Sequence, residues 1–130
     1  MPDVNRGNRP LSPFMIGQYY RPQLTSVTSI LTRITGNAMI VAALMIVWWL
    51  LAASTGPEYF AYANGFVTSW FGDLVMFLSV WALWYHSLAG IRHLIWDNAM
   101  MLEIDKAEML GWMVVIGSGV LTVFSVVVLW

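Results

Sequence analysis

Apolar residues along this 130-residue chain fall into three long runs separated by polar stretches. Charged residues are absent for 24 positions between Arg33 and Glu58, for 18 between Asp73 and Arg92, and for 22 from Met109 to Trp130. A hydrocarbon core of about 30 Å is crossed by roughly 20 mostly apolar residues at the helical rise. Each run is long enough to span, and no fourth is. The runs are continuous rather than alternating, and lipid leaves backbone N–H and C=O groups unsatisfied outside a helix or a closed barrel. The pattern therefore predicts an all-α integral membrane protein, a single membrane-anchor domain of three transmembrane helices over residues 25–53, 74–96 and 107–129.

The intervening segments read differently. Residues 1–24 are polar and punctuated by Pro2, Pro10, Pro13 and Pro22, which favours an extended arm. The first helix is Ser/Thr-rich over its first third and apolar from Ala38. Ser54–Asp73, with Gly56-Pro57, Asn64-Gly65 and Gly72, reads as a loop with room for a short interfacial helix over Glu58–Trp70. A second, polar connection carries Asp97, Glu103, Asp105, Lys106 and Glu108. No internal repeat is present.

Composition strengthens this picture, since 59% hydrophobic and 10% charged residues cannot clothe a water-soluble domain. All basic residues lie on two segments: Arg6, Arg9, Arg21 and Arg33 before the first span, Arg92 and Lys106 around the second connection. Three spans put both segments on one side, so the positive-inside rule predicts a cytoplasmic N-terminal arm and second connection, with Trp130 at the opposite face. Tyr59, Tyr62 and Trp70 then fall near the outer interface, while Trp48, Trp49, Trp81, Trp84 and Trp112 lie within the spans as anchoring and lipid-facing residues. A net charge of −1 with no basic stripe gives no reason to expect nucleic acid. The absence of cysteine excludes disulfides and iron–sulfur ligation by this chain. The polar N-terminus is neither a signal peptide nor a transit peptide, which points to a bacterial inner membrane, with the mitochondrial inner membrane as the alternative.

Ionisable groups inside a span are functional suspects because they are costly there. His86 is the one such residue deep in a span, six residues or about 9 Å from Arg92 at the helical rise. Two readings are open from position alone: a histidine hydrogen-bonded to a neighbouring helix, or an axial haem ligand. The small neighbours Ser87, Ala89 and Gly90, which let a flat macrocycle approach, favour haem. His93 lies seven residues on, about 10.5 Å along nearly the same face, so the two histidines cannot share one iron. A six-coordinate iron would need its other ligand from another subunit or from an unusual residue such as methionine. Arg92 and His93 either mark the positive-inside edge or meet the haem carboxylates. On the first helix Ser29 and Arg33 are four apart and share a face. Arg33 either snorkels or, with Ser29, hydrogen-bonds the carbonyl oxygens of a quinone arriving from lipid.

Four segments carry a resemblance. Arg9-Pro-Leu-Ser-Pro13, Tyr20-Arg-Pro-Gln-Leu-Thr-Ser26, Ser29-Ile-Leu-Thr-Arg-Ile-Thr-Gly36 and His86-Ser-Leu-Ala-Gly-Ile-Arg-His-Leu-Ile-Trp-Asp97 resemble the cytochrome b subunits of succinate dehydrogenase, the larger membrane anchor of respiratory complex II. The third helix agrees in hydrophobicity and position only. The resemblance implies that His86 ligates the iron of a haem b whose second ligand is a histidine of a smaller anchor subunit. It implies that Ser29 and Arg33 line a ubiquinone pocket, that Arg33 and His93 lie near the haem propionates, and that Asp97 is near the quinone or proton path. The further partners implied are an iron–sulfur subunit and a flavoprotein, which would oxidise succinate; this chain would not. One departure is that Thr32 stands where the family usually has a propionate-holding histidine; Phe14 likewise stands where a histidine often follows Ser-Pro. Two rival classes remain: a purely structural anchor without cofactor, and a transporter or channel subunit, the latter disfavoured because no string of polar residues lines a path.

Overall fold

The computed structural model describes Tyr20 and residues 22–129. Of the arm expected over residues 1–24, residues 1–19, with Arg6, Arg9, Phe14 and the Arg9–Pro13 segment, lie outside the described residues, as do Arg21 and Trp130. The described residues form four helices, α1 over Leu24–Thr55, α2 over Pro57–Val67, α3 over Trp70–Asp97 and α4 over Ile104–Leu129. Three of them, α1, α3 and α4, are long and apolar enough to cross a membrane. The 32 residues of α1 extend about 48 Å at the helical rise, well beyond a hydrocarbon core of about 30 Å. Its Ser/Thr-rich first third therefore has length to spare for a headgroup region.

Local chemistry sets the helix ends. Gln23 and Ser26 form a capping box at the start of α1, the Ser26 hydroxyl accepting the Gln23 N–H at 3.2 Å. Gly56 ends α1 and Pro57 opens α2 in its first turn, where a missing N–H costs nothing. The Ser69 hydroxyl accepts the Gly72 N–H at 3.2 Å. That cap starts α3 at Trp70, four residues before the apolar run, which is why hydropathy alone sets the beginning of this helix too late.

The short helix for which the first connection had room over Glu58–Trp70 is present as α2, which takes up most of that connection and packs against the end of α1. The Trp48 indole donates to Tyr59 Oη at 2.9 Å and the Trp49 indole to Asn64 Oδ1 at 3.2 Å. Trp48 also meets Tyr62 and Phe66 edge-on, with centroids 6.5 and 5.7 Å apart. These two tryptophans thus fasten α2 to α1, a role that span membership alone did not suggest.

Helix α3 is central, packed against both α1 and α4. Its buried positions Ala82, Tyr85, Ala89 and Arg92 recur every three or four residues, and those of α4, Leu110, Val114, Ser118 and Thr122, recur every four. The seams are made of small and hydroxyl-bearing residues, while large side chains such as Leu44, Leu50, Val120 and Phe124 are exposed to the surroundings of the bundle. This inversion is expected in lipid, where close backbone approach and hydrogen bonds drive helix association and Leu gains nothing by hiding. Gly117 packs so closely on Leu88 that an added Cβ would lie 3.1 Å from its Cδ1. Across the same seam the Trp84 indole donates to Ser125 Oγ at 2.9 Å.

Candidate functional site

Helices α1 and α3 run antiparallel, and their hydroxyl-rich seam holds Thr28, Thr35, Tyr85, His86 and Arg92. Thr28 is the hub at one level. Tyr85 Oη donates to its carbonyl oxygen at 3.0 Å and Arg92 Nη1 donates to its hydroxyl oxygen at 2.9 Å. The Thr28 hydroxyl in turn donates to the Thr25 carbonyl at 3.2 Å. Arg92 is only 2% exposed, and its guanidinium carbon stacks 4.8 Å from the centroid of the Trp96 ring. Arg92 Nε and the Trp96 indole nitrogen are buried without a hydrogen-bond partner among the described residues.

Six residues before Arg92, nearer the start of α3, His86 lies against α1. Its Nδ1 is 3.1 Å from the Thr32 carbonyl oxygen and 3.4 Å from the Thr35 hydroxyl oxygen. The Thr35 hydroxyl spends its proton on the Leu31 carbonyl at 2.8 Å. Facing a carbonyl that can only accept, Nδ1 carries the imidazole proton, and Nε2 is left with its lone pair. This is the arrangement in which a histidine binds a metal: the second nitrogen donates to a backbone carbonyl and fixes tautomer and ring plane. Gly36 makes the approach possible, since a Cβ there would stand 3.0 Å from His86 Cε1 and 3.4 Å from Nδ1. Beyond the imidazole, Gly90 has open space around the position of a Cβ.

Helical spacing places His86, Gly90, His93 and Asp97 on one stripe of α3, at intervals of four, three and four residues. Ser87 is exposed, but Ala89 is fully buried in the α1 seam, so of the three small neighbours singled out in the sequence it is Gly90 that flanks the imidazole. His93 Nδ1 donates to the Ala89 carbonyl at 2.8 Å, and its ring packs 5.4 Å from that of Trp96. Ser29 is half-buried and Arg33 exposed on α1, near the level of His86, because Thr28 and Thr32 of the same two turns touch Arg92 and His86. Asp97 is exposed at the end of α3, eleven residues or about 16 Å from His86 at the helical rise.

The structure thus brings Ser29, Arg33, His86 and His93 to one side of the α1–α3 pair. Arg92, the immediate neighbour of His93, is turned into the bundle instead and contacts Thr28 and Trp96. The residues that the sequence reading missed are Thr32 through its carbonyl, Thr35, and Gly36. The signal for them was the run Ser29–Gly36 itself, in which residues 28, 32 and 35 share a face turned toward α3. No group of three or more His, Cys, Asp or Glu side chains that could hold a metal ion exists among the described residues.

With this geometry in hand, similarity to known proteins is informative. Residues 5–129 match the family of succinate dehydrogenase/fumarate reductase transmembrane subunits. The chain is 50% identical over 128 residues to the succinate dehydrogenase cytochrome b556 subunit of Paracoccus denitrificans, covering 98% of this chain and 97% of that protein. It is 36% identical over 115 residues to the cytochrome b556 subunit of Rickettsia conorii, covering 88% of each. A third relative is the cytochrome b560 subunit of Marchantia polymorpha, 32% identical over 129 residues and covering 92% of this chain and 90% of that one.

Proposed function

The chain belongs to the family of succinate dehydrogenase/fumarate reductase transmembrane subunits, and from that premise we propose that it is the cytochrome b membrane anchor of a succinate:ubiquinone oxidoreductase. In this reading His86 Nε2 would hold the iron of a haem b shared with a second, smaller anchor subunit. The observation that carries the reading is the His86 Nδ1–Thr32 carbonyl contact of 3.1 Å, which leaves the lone pair of Nε2 available. Gly36 lets the imidazole pack against α1, and Gly90 leaves the open space beside it that a flat macrocycle needs. Arg33 and His93 are the groups of this chain suited to the propionates, by charge and by position on the same side as His86. When bound, the haem supplies a one-electron carrier beside the quinone site.

What this chain does otherwise is bind and orient. Ser29 and Arg33 donate hydrogen bonds to the two carbonyl ends of ubiquinone, and Arg33 stabilises negative charge as it develops on the oxygen being reduced. Quinone reduction consumes two electrons and two protons, and Asp97, exposed near the end of α3, is positioned to pass protons from the aqueous face. Succinate oxidation belongs to the flavoprotein and iron–sulfur partners, which dock on the cytoplasmic side together with the N-terminal arm. The protein is then a multi-pass component of a bacterial inner membrane, with its arm and its α3–α4 connection in the cytoplasm, a reading that the distribution of basic residues supports.

A reduced-minus-oxidised spectrum of the purified complex tests the assignment. The wild type shows a b-type band, and His86→Ala abolishes it while leaving the subunits associated. Retention of the band in His86→Ala would move the iron ligand elsewhere and reduce this chain to a tether.

A further inference from the structure

We infer that Arg92 is the fixed positive charge that raises the electron affinity of the redox centre carried by His86. The inference rests on the haem reading above and assigns a role to a residue that this reading leaves without one. Its starting point is that Arg92 is the one buried charged side chain among the described residues, and that its hydrogen-bond acceptor is neutral, the Thr28 hydroxyl at 2.9 Å. Among the described residues its surroundings include Tyr85, the face of Trp96, and an apolar wall with Leu88, Ile95, Leu110 and Val114. At 2% exposure the guanidinium is enclosed, and among the described residues no carboxylate is set against it. Arginine does not shed its proton, so the charge is permanent.

An uncompensated buried charge is expensive, and removing it in favour of an apolar side chain often costs a fold nothing. Its presence asks for an electrostatic purpose. Arg92 is six residues from His86 on the same helix, about 9 Å along the axis. Adding one electron lowers the charge at the centre by one, so a nearby fixed cation favours the reduced form. At a separation on the order of 10 Å and an effective dielectric near ~20, the Coulomb energy corresponds to about a tenfold change in the ratio of reduced to oxidised centre, or about 59 mV for one electron. Arg33, His93 and Asp97 also carry or acquire charge on the His86 side, but all three are exposed and screened. Arg92 is therefore the one whose influence survives salt and headgroups.

The test is a spectroscopic redox titration of the assembled complex. Arg92→Gln is expected to lower the midpoint potential by about the tenfold equivalent, and Arg92→Lys to hold it near the wild-type value. A second pair leaves Arg92 in place. Thr28→Asp sets a carboxylate against the guanidinium and is expected to lower the potential, whereas Thr28→Val removes the same hydrogen bond without touching the charge and is expected not to. If Arg92→Gln fails to assemble, the Thr28 pair decides the matter. A wild-type potential in Arg92→Gln with an unaltered b-type spectrum overturns the inference. So does an equal fall in Thr28→Val and Thr28→Asp, which would mark disturbed packing rather than charge. Failure of the underlying haem reading looks different, because the wild-type complex would then show no b-type band to titrate.

Discussion

The imidazole of His86 donates from Nδ1 to the backbone carbonyl of Thr32, 3.1 Å away on the facing helix. Because the acceptor is main chain, the orientation of the ring does not depend on the side chain at position 32. Thr32→Ala is therefore expected to keep haem content and the b-type spectrum close to wild type. The Thr32 hydroxyl is itself spent on the Thr28 carbonyl at 2.8 Å, so only a local helix bond is lost. Gly36→Val is expected to behave in the opposite way. Its Cβ would begin 3.0 Å from His86 Cε1, and its branches would push the ring off its acceptor. Overpacking of this kind costs about 1–3 kcal/mol. Haem content per complex, measured by the pyridine haemochrome band, separates the two variants, and equal occupancy in both would refute the geometry.

Arg33 is exposed on the same side as His86 and has the charge to stabilise a developing quinol oxygen. Arg33→Ala is expected to lower quinone reduction by at least tenfold, the loss of roughly 1.5–3 kcal/mol typical of a hydrogen bond from a charged donor. Succinate oxidation with a soluble artificial acceptor, which bypasses this subunit, should remain largely intact. Equal loss of both activities would indicate an assembly defect and remove Arg33 from the quinone site.

Much of this was legible in the sequence, and what was not has identifiable physical causes. The three spans were readable because lipid imposes a length and a hydropathy on any helix that crosses it. Helix α2 was only half legible. Gly56-Pro57 and Asn64-Gly65 are turn signals in isolation, but Gly65 sits inside a helix held by tryptophans from α1, a tertiary contact that no local pattern announces. His86 stood out as an ionisable residue within an apolar run. Arg92 did not separate from His93 by position along the chain. The 100° step between adjacent helical residues turns one into the bundle and leaves the other on the groove, and only packing tells which. Gly36 was likewise silent, since a glycine earns its place there by what the opposite helix brings to it.

Two glycines near the α2–α3 turn are predicted to respond to alanine with opposite signs. Gly72 is buried in the first turn of α3, where an added Cβ would collide with the backbone carbonyl oxygens of Phe66 and Val67. Backbone cannot swing aside as a flexible side chain can, so Gly72→Ala is expected to destabilise the subunit by about 2 kcal/mol or more. Gly65 lies within α2 with open space where a Cβ would be. Gly65→Ala is expected to stabilise by up to about 1 kcal/mol through helix propensity. Thermal unfolding of the detergent-solubilised complex should show the midpoint falling for the first and holding or rising for the second.

The end of α3 offers a stabilising change of another kind. Ala99 has φ 54° and Met101 φ 57°, both in the left-handed region that side chains disfavour. At Ala99 the conformation is imposed by the helix cap: its N–H donates to the Trp96 carbonyl at 2.8 Å, and the Met100 N–H reaches back to Ile95 at 3.2 Å. That pair of bonds closes the helix only if the residue between them turns left-handed, a position usually given to glycine. A non-glycine residue there pays roughly 1–2 kcal/mol, while glycine gives back a part of this by making the unfolded chain freer. Ala99→Gly is therefore expected to raise stability by about 0.5–1 kcal/mol, and Ala99→Val, whose branched Cβ tolerates this conformation worse, to lower it by more than that. Because the cap bonds are the same in all three proteins, the order Gly, Ala, Val in unfolding temperature isolates the backbone cost. An unfolding temperature for Ala99→Gly at or below that of the wild type would mean that the cap is not left-handed at this residue.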